Sequence, residues 1–170
     1  MAGMKTMLVL IALVVLASQS GMAMAKKKPS TLVFYSQDIR SGDNATSYVI
    51  TNSSSGYLAV YDQAIYSGPT VDSTEVGRQY GQATNVVKAG IPNAYYIFLT
   101  INIHINTTEY VGSFLLRSAV NSALEVRTMA IVGGTGDFYL ARGFSQTRFI
   151  EGTDTSQSAV VKYVIHFNWT

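Results

Sequence analysis

The chain has 170 residues, a length typical of a single domain, and its formal net charge is only +2. This balance gives no basic face of the kind that nucleic-acid binding needs, so we predict no nucleic-acid partner. The sequence contains no cysteine, which excludes disulfides, a thiolate nucleophile and cysteine metal ligands.

The first 25 residues have the three parts of a secretory signal peptide. Lys5 supplies a positive start, an apolar run covers Met7 to Ala17, and Ala23-Met24-Ala25 fits a small-residue cleavage site. The run is short for a membrane-spanning helix, so a membrane anchor is the weaker alternative. We therefore predict a secreted protein that begins at Lys26, without stable membrane insertion.

A basic tail, residues 26–30, precedes the predicted domain at residues 31–170. Its three lysines, Lys26 to Lys28, indicate a solvated segment, and contact with an anionic polysaccharide or a membrane surface is the alternative. A secreted protein can be N-glycosylated. The chain has three sequons in polar, turn-like sequence, and we predict glycosylation at Asn44, Asn52 and Asn106.

Alternation of apolar and polar residues predicts eight or nine short strands and no helix after the leader. The clearest signal is residues 94–106, where five branched apolar residues at period two exclude a helix. The predicted strands are residues 31–39, 47–51, 57–65, 75–84, 94–106, 110–118, 124–132, 138–149 and 158–169. We expect an all-β fold that closes into an eight-stranded antiparallel barrel, because closure removes exposed edges. A β-sandwich is the competing architecture.

A glycine-rich segment, Gly133-Gly134-Thr135-Gly136, is predicted to be a tight turn between two strands. A dinucleotide-binding loop is the rival interpretation. That motif requires a further glycine and a following helix. Here the residue three positions after Gly136 is Tyr139, not glycine, and the sequence that follows is typical of a strand. We therefore predict no nucleotide cofactor.

Four segments, in chain order, resemble motifs of the plant dirigent protein family. They are Phe34–Ile39, Val60–Ile65, Val76–Gly81 and Val132–Gly143. In the first segment Gln37 replaces a histidine. In the second, Gln63 replaces the second aspartate and Ala64 replaces a proline. The third is Val-Gly-Arg-Gln-Tyr-Gly, where the family pattern is Val-Gly-Arg-Ala-Gln-Gly.

The resemblance implies a barrel like that of allene oxide cyclase and self-association as a dimer or trimer. It also implies an apoplastic protein that guides coupling of phenoxy radicals from monolignols such as coniferyl alcohol towards lignan-type products. A separate laccase or peroxidase would make the radicals, so we expect no oxidative activity and no cofactor. Many family members have two cysteines that this chain lacks.

The resemblance implies four candidate catalytic residues: Asp38, Asp62, Asp137 and Arg142. Closing a ring on a quinone methide needs a proton donor and a proton acceptor, and carboxyl groups in an apolar cavity suit both roles. The structural alternatives are that Asp38 or Asp62 pairs with an arginine, and that Asp137 accepts hydrogen bonds from turn amides.

Four aromatic residues are candidates for substrate binding: Tyr61, Tyr95, Phe138 and Phe144. The last two are expected to share a strand face with Arg142. His104 and His166 lie on different predicted strands without a ligand pattern, so we predict no metal site.

Two other functions stay open at this point. One is a cyclase or dehydratase that acts on a phenolic compound through a quinone methide. The other is a non-catalytic defence protein that binds cell walls or carbohydrate, for which the basic tail is the only direct support.

Overall fold

The computed structural model describes residues 26–53, 56–70, 72–86, 96–155 and 157–169. The predicted leader and Tyr95 lie outside these residues. No helix long and apolar enough to cross a membrane occurs within them. The regular elements of the described chain are nine strands: β1 (Thr31–Ile39), β2 (Ser47–Ser53), β3 (Gly56–Tyr66), β4 (Glu75–Val86), β5 (Tyr96–Asn106), β6 (Val111–Asn121), β7 (Arg127–Gly136), β8 (Arg142–Phe149) and β9 (Ser158–Asn168).

Eight of these strands form a closed antiparallel barrel, which confirms the predicted fold. The ladder runs β1-β9-β8-β7-β6-β5-β4-β3, and β1 closes the ring on β3 through the pairs Tyr35–Tyr66 and Ser36–Ile65. The short strand β2 pairs with β3 beyond this closure. Because β1 pairs with β3 over so few residues, the barrel has a seam. Beyond these pairs β1 and β3 separate, and β2 is the strand that pairs with β3.

The barrel interior is divided between a packed half and a hollow half. In the packed half, Phe138 lies between Phe114 and Phe167, with ring centroids 5.1 and 5.5 Å away. The buried apolar core consists mainly of Phe34, Ile65, Ile101, Ile103, Ile105, Phe114, Leu116, Met129, Ile131, Phe138, Tyr163 and Ile165. Burial of this set supplies the main stabilisation of a fold without disulfides. The hollow half lies where β5 begins and β6 ends.

The glycine-rich segment was predicted to be the turn, and that prediction is wrong. Gly133 to Gly136 belong to β7 and pair with β6, and the turn is formed by the next residues, up to Ala141. The glycines are needed for close contact. A Cβ at Gly134 would lie 2.4 Å from the carbonyl oxygen of Phe138, and Gly136 has a φ of 58°. They let the turn fold back over β7.

The basic tail lies against the packed end of the barrel, although its lysines stay exposed. Lys26 pairs with Asp137 at 2.7 Å, and the ammonium group of Lys28 stands 4.3 Å from the ring centre of Trp169. The indole of Trp169 donates a hydrogen bond to the carbonyl oxygen of Pro29. The tail therefore covers the aromatic end of the core rather than only extending into solvent.

The three predicted glycosylation asparagines are all exposed. Asn44 lies in the turn after β1, and Asn106 is the last residue of β5. Asn52 was placed in a loop, but it lies within β2, where it lines the opening of the hollow half.

Candidate active site

The hollow half of the barrel forms a cavity of about 600 Å³. Small-molecule sites typically enclose about 300–1,000 Å³, so the space suits a ligand of several rings. Most of its wall surface is apolar, and its polar groups are one carboxylate, two guanidinium groups, three phenols and several amides and hydroxyls. The principal lining residues are Asp38, Arg40, Tyr57, Tyr61, Gln63, Gln79, Ile97, Leu99, Val120, Arg127, Phe149, Val161 and Tyr163.

Asp38 lies at the barrel seam, on the inner face of β1, which it shares with the buried residues Phe34 and Ser36. One carboxylate oxygen, Oδ1, accepts hydrogen bonds from the Ser47 hydroxyl and from Gln63 Nε2 at 3.1 Å. The other oxygen, Oδ2, accepts one from Arg40 Nε at 2.8 Å. An ionised carboxylate has about four acceptor positions. These bonds fill three of them, which leaves one on Oδ2 for a ligand hydroxyl.

Arg40 connects this carboxylate to the rim of the cavity. Besides Asp38, its guanidinium pairs with Asp154 at 3.1 Å and donates to the carbonyl oxygen of Thr155. Partial burial acts to lower the pKa of Arg40, but the hydrogen bonds and charges of the two carboxylates together raise it. The arginine thus remains a permanent cation beside the Asp38 carboxylate.

Tyr61 brings a phenol hydroxyl into the apolar part of the cavity. That hydroxyl is buried and has no hydrogen-bond partner within the described part of the chain. Burial is the main cause that raises the pKa of Tyr61 far above its ordinary value, and the charges of Tyr163 and Asp38 add to it. The side chain therefore stays neutral near pH 7, as a hydrogen-bond donor without a protein acceptor.

Tyr163 is a second neutral phenol, set deeper in the wall. Its ring stacks on Phe34 with 5.0 Å between centroids. Burial raises its pKa to about 12, against a smaller opposite effect of the neighbouring polar side chains of Gln79 and Ser36. With Tyr57, the cavity thus combines one carboxylate with three phenols among the described residues.

Arg127 also lines the cavity, at the start of β7. Its guanidinium lies over the ring of Phe149 at 4.6 Å and donates to the carbonyl oxygen of Ser122. Its Nε is buried without a partner among the described residues. Burial is the main cause that lowers its pKa. Such a partly desolvated cation favours a ligand oxygen that carries negative charge.

Of the sequence-predicted site residues, the structure brings Asp38 and Tyr61 together at the cavity. Asp62 directly precedes Gln63 and so points outward, where it pairs with Arg78 at 2.8 Å with both side chains about half exposed. The predicted alternative of an ion pair with Arg78 is therefore what the structure shows, although the pair is not buried.

The other candidates lie outside the cavity. Arg142 begins β8 on the outer face and donates to the carbonyl oxygens of Val132 and Ala141. Phe144, on the same face, stacks on His166 at 4.8 Å. Phe138 is in the turn and fully buried, so the expected strand face shared by Phe138, Arg142 and Phe144 does not exist. The reason is that β8 begins only at Arg142.

Asp137 lies in the turn at the packed end. Its carboxylate accepts hydrogen bonds from Lys26 and from the backbone N–H of Val111, and these two contacts lower its pKa. This is the turn-amide role weighed for it from the sequence.

Sequence reasoning missed Arg40, Gln63, Gln79 and Arg127 as cavity residues. Strand alternation held a signal for the two glutamines, because Gln63 shares the inner face with Tyr61 and Ile65. Nothing in the sequence showed that Arg40 and Arg127 would lie across the same cavity, since this depends on barrel closure. Within the described residues, no group of three or more His, Cys, Asp or Glu side chains is placed to hold a metal ion.

Comparison with known proteins agrees with the fold. The family model described as Dirigent-like protein matches residues 29–168. The chain therefore belongs to the dirigent family.

Three relatives show the range of similarity. The chain is 33% identical over 148 residues to dirigent protein 21 of Arabidopsis thaliana, which covers 82% of this chain and 76% of that protein. It is 29% identical over 150 residues to pterocarpan synthase 1 of Glycyrrhiza echinata, covering 82% and 78%. A solved structure of a pterocarpan synthase dirigent protein superposes with a TM-score of 0.68 at 25% identity, covering 86% of this chain and 100% of that one.

Proposed function

We propose that this protein binds phenolic reactants in the barrel cavity and controls the stereochemistry of the bond that they form. The reactants are phenoxy radicals of monolignols such as coniferyl alcohol, and the products are lignan-type compounds. The observation that supports this most is the aromatic cavity of about 600 Å³ with one carboxylate at its seam. Apolar walls hold flat rings in a fixed orientation, and the carboxylate assists the proton transfers that follow coupling.

The proton transfers can be assigned to particular atoms. When a hydroxyl of the coupled intermediate attacks the quinone methide carbon, a carbon–oxygen bond forms and the hydroxyl proton passes to Asp38 Oδ2. The quinone methide oxygen gains a proton and becomes a phenol. Tyr61 is the hydrogen-bond donor for that oxygen, solvent supplies its proton, and Asp38 returns the proton it accepted to solvent, so no net proton is consumed. The step is an isomerisation, so it needs no oxidant.

The test is oxidation of coniferyl alcohol by a laccase with and without the protein, followed by chiral chromatography of the dimers. We expect an excess of one enantiomer, which disappears when the protein is heat-denatured. The proposal fails if the products stay racemic with every monolignol.

A second candidate is a cyclase that acts on a ready-made quinone methide or its phenolic precursor. It is favoured by the free acceptor position on Asp38 and by the similarity to pterocarpan synthase dirigent proteins. Incubation of phenolic alcohols without any oxidant separates the two candidates. Turnover under these conditions supports the cyclase, and its absence supports the coupling role.

The proposal includes a setting for the reaction. The protein is secreted to the apoplast, a laccase or peroxidase supplies the radicals, and copies of the chain associate as a dimer or trimer. Exposed aromatic side chains on the outer face of β4 and β5, Tyr80, Tyr96 and Phe98, support self-association.

A further inference from the structure

Two glutamines form a buried pair beside the cavity carboxylate. Gln63 on β3 and Gln79 on β4 are direct cross-strand partners, and their side chains are only 4% and 1% exposed. Gln79 Nε2 donates a hydrogen bond to Gln63 Oε1. Both positions depart from the motifs described above, where an aspartate and an alanine would stand. The two departures therefore meet at one point in the structure.

The orientation of this pair follows from the charge of Asp38. A carboxylate accepts hydrogen bonds only, so Gln63 must turn its amide NH₂ towards Asp38 Oδ1, from which it lies 3.1 Å. The same NH₂ also reaches the hydroxyl of Ser47 at 3.1 Å. The carbonyl of Gln63 then faces Gln79, which must present its own NH₂. Each amide thus fixes the orientation of the next one, and Gln63 presents a donor, not a second carboxyl, to Asp38.

We propose that Gln63, held by Gln79, is the positioning and specificity-determining residue that makes this a one-carboxylate site. The site then accepts a proton but holds no carboxylic acid to donate one. This inference rests on the proposed function. It assigns the substrate class as phenolic intermediates that close a ring by losing a hydroxyl proton. It disfavours benzylic alcohols, whose hydroxyl must be protonated before it leaves as water.

Among the described residues, Asp38 is the one carboxyl group that lines the cavity. Arg40 contacts it directly, and Asp154 is held at the far side of Arg40. The other titratable groups that line the cavity within the described part of the chain are phenols and one further cation. The titratable and charged side chains that face Asp38 across the cavity or at its rim are Arg40, Tyr57, Tyr61, Arg127, Asp154 and Tyr163.

The decisive variant is Gln63→Glu, which keeps the shape of the side chain and the acceptor for Gln79. It places a second carboxyl about 3 Å from Asp38. Two carboxyl groups at such a short distance share a proton, so one of the two pKa values of the pair rises. Gln82→Glu is the matched control, because it makes the same change at an exposed position of β4. A proton count by potentiometric titration, with ¹³C NMR of the carboxyl groups, does not depend on activity.

We expect Gln63→Glu to bind about one more proton than Gln82→Glu between pH 5 and 7. We also expect it to gain dehydration of a phenolic benzylic alcohol. In that step the carbon–oxygen bond breaks, the shared proton leaves with the hydroxyl as water, and the phenol proton passes to a base. The gain falls as the shared proton is lost at higher pH. Equal proton counts in the two variants overturn the inference.

Gln63→Met tests the positioning role without an added charge. It removes one of three hydrogen bonds to Asp38, so the rate of ring closure should fall about tenfold, with little change in binding of the phenolic ligand. Unchanged ring closure overturns the inference even if Gln63→Glu is unstable. If the wild-type protein neither binds nor steers any phenolic compound, the proposed function is overturned instead. The two failures can be told apart because the proton count does not depend on activity.

Discussion

The ring of Tyr61 on β3 lies directly across Gly81 on β4, in the space that a side chain at position 81 would occupy. The two residues are cross-strand partners, and a Cβ at Gly81 would stand 2.5 Å from the Tyr61 hydroxyl. The absence of a side chain on β4 therefore decides where the cavity phenol points.

The first prediction concerns this contact. Gly81→Ala should displace the ring of Tyr61 and strain the β4–β5 ladder, because the new methyl would also lie 2.6 Å from the carbonyl oxygen of Thr100. Overpacking of this kind costs on the order of 1–3 kcal/mol. Urea unfolding should show that loss, and binding of a phenolic ligand should weaken. Gly42→Ala is the control for backbone strain alone, since its φ of 87° disfavours a side chain although nothing lies within 4 Å of its Cβ position; it should lose stability and keep ligand binding. Wild-type ligand binding by Gly81→Ala would contradict the argument.

The second prediction separates the two aspartates. Asp38→Asn removes the proton acceptor of the cavity and should lower ring closure by about 10²- to 10⁴-fold, the usual contribution of a general base. Asp62→Asn, on the outer face, breaks only the exposed pair with Arg78 and should leave the rate nearly unchanged. Single-turnover rates of the two variants measure the difference. If Asp62→Asn is the slower variant, the assignment of Asp38 is wrong.

The third prediction compares two aromatic residues that the sequence placed together. Phe138→Ala should destabilise the fold by about 3–5 kcal/mol, because the ring is fully buried among Phe114 and Phe167. Phe144→Ala should cost about 1 kcal/mol or less, because its ring is exposed and contacts mainly His166. Chemical denaturation of both variants measures the two losses of unfolding free energy. Equal losses would contradict the burial of Phe138 in the turn before β8.

The fourth prediction is an alkaline loss of stability. Tyr61 has a pKa raised by burial, so in the unfolded chain it ionises near pH 10 while the folded chain keeps it neutral. The unfolded state then binds fewer protons, and the free energy of unfolding falls as the pH rises above about 10. Tyr61→Phe should fall less steeply between pH 9 and 11 than the wild type.

The control for that titration is Tyr139→Phe, because Tyr139 is exposed at the packed end. Its pH dependence should match that of the wild-type protein. Identical slopes for Tyr61→Phe and the wild type would show that the phenol of Tyr61 is in contact with water.

Much of the fold could be predicted because strand alternation is a local property. The apolar face of β5, with Ile101, Ile103 and Ile105 buried, lies where the period-two pattern put it. The glycine-rich segment was misread for a complementary reason. Glycine serves equally in tight turns and at close backbone contacts, and only the neighbouring β6 and the turn packed over it show which use applies here.

The candidate site was predicted less completely. Alternation places Asp38 and Tyr61 on the inner face, and both line the cavity. It also separates Asp62 from Gln63, since adjacent strand residues point to opposite faces. Inner-facing residues near the packed end fill the core, however, while those near the other end line the hollow half. That distinction depends on the position along the barrel axis, which strand stagger sets.

By itself, the sequence determined the all-β class, the strand faces, the dirigent resemblance and the inward direction of Asp38, because each depends on local order along the chain. Only the tertiary structure decided that β2 pairs with β3 beyond the seam, that Arg40 and Gln63 hold one carboxylate, and that Arg127 lines the same cavity. These relationships join strands far apart in sequence. Closure of the barrel sets the register between these strands, and no local sequence pattern encodes that register.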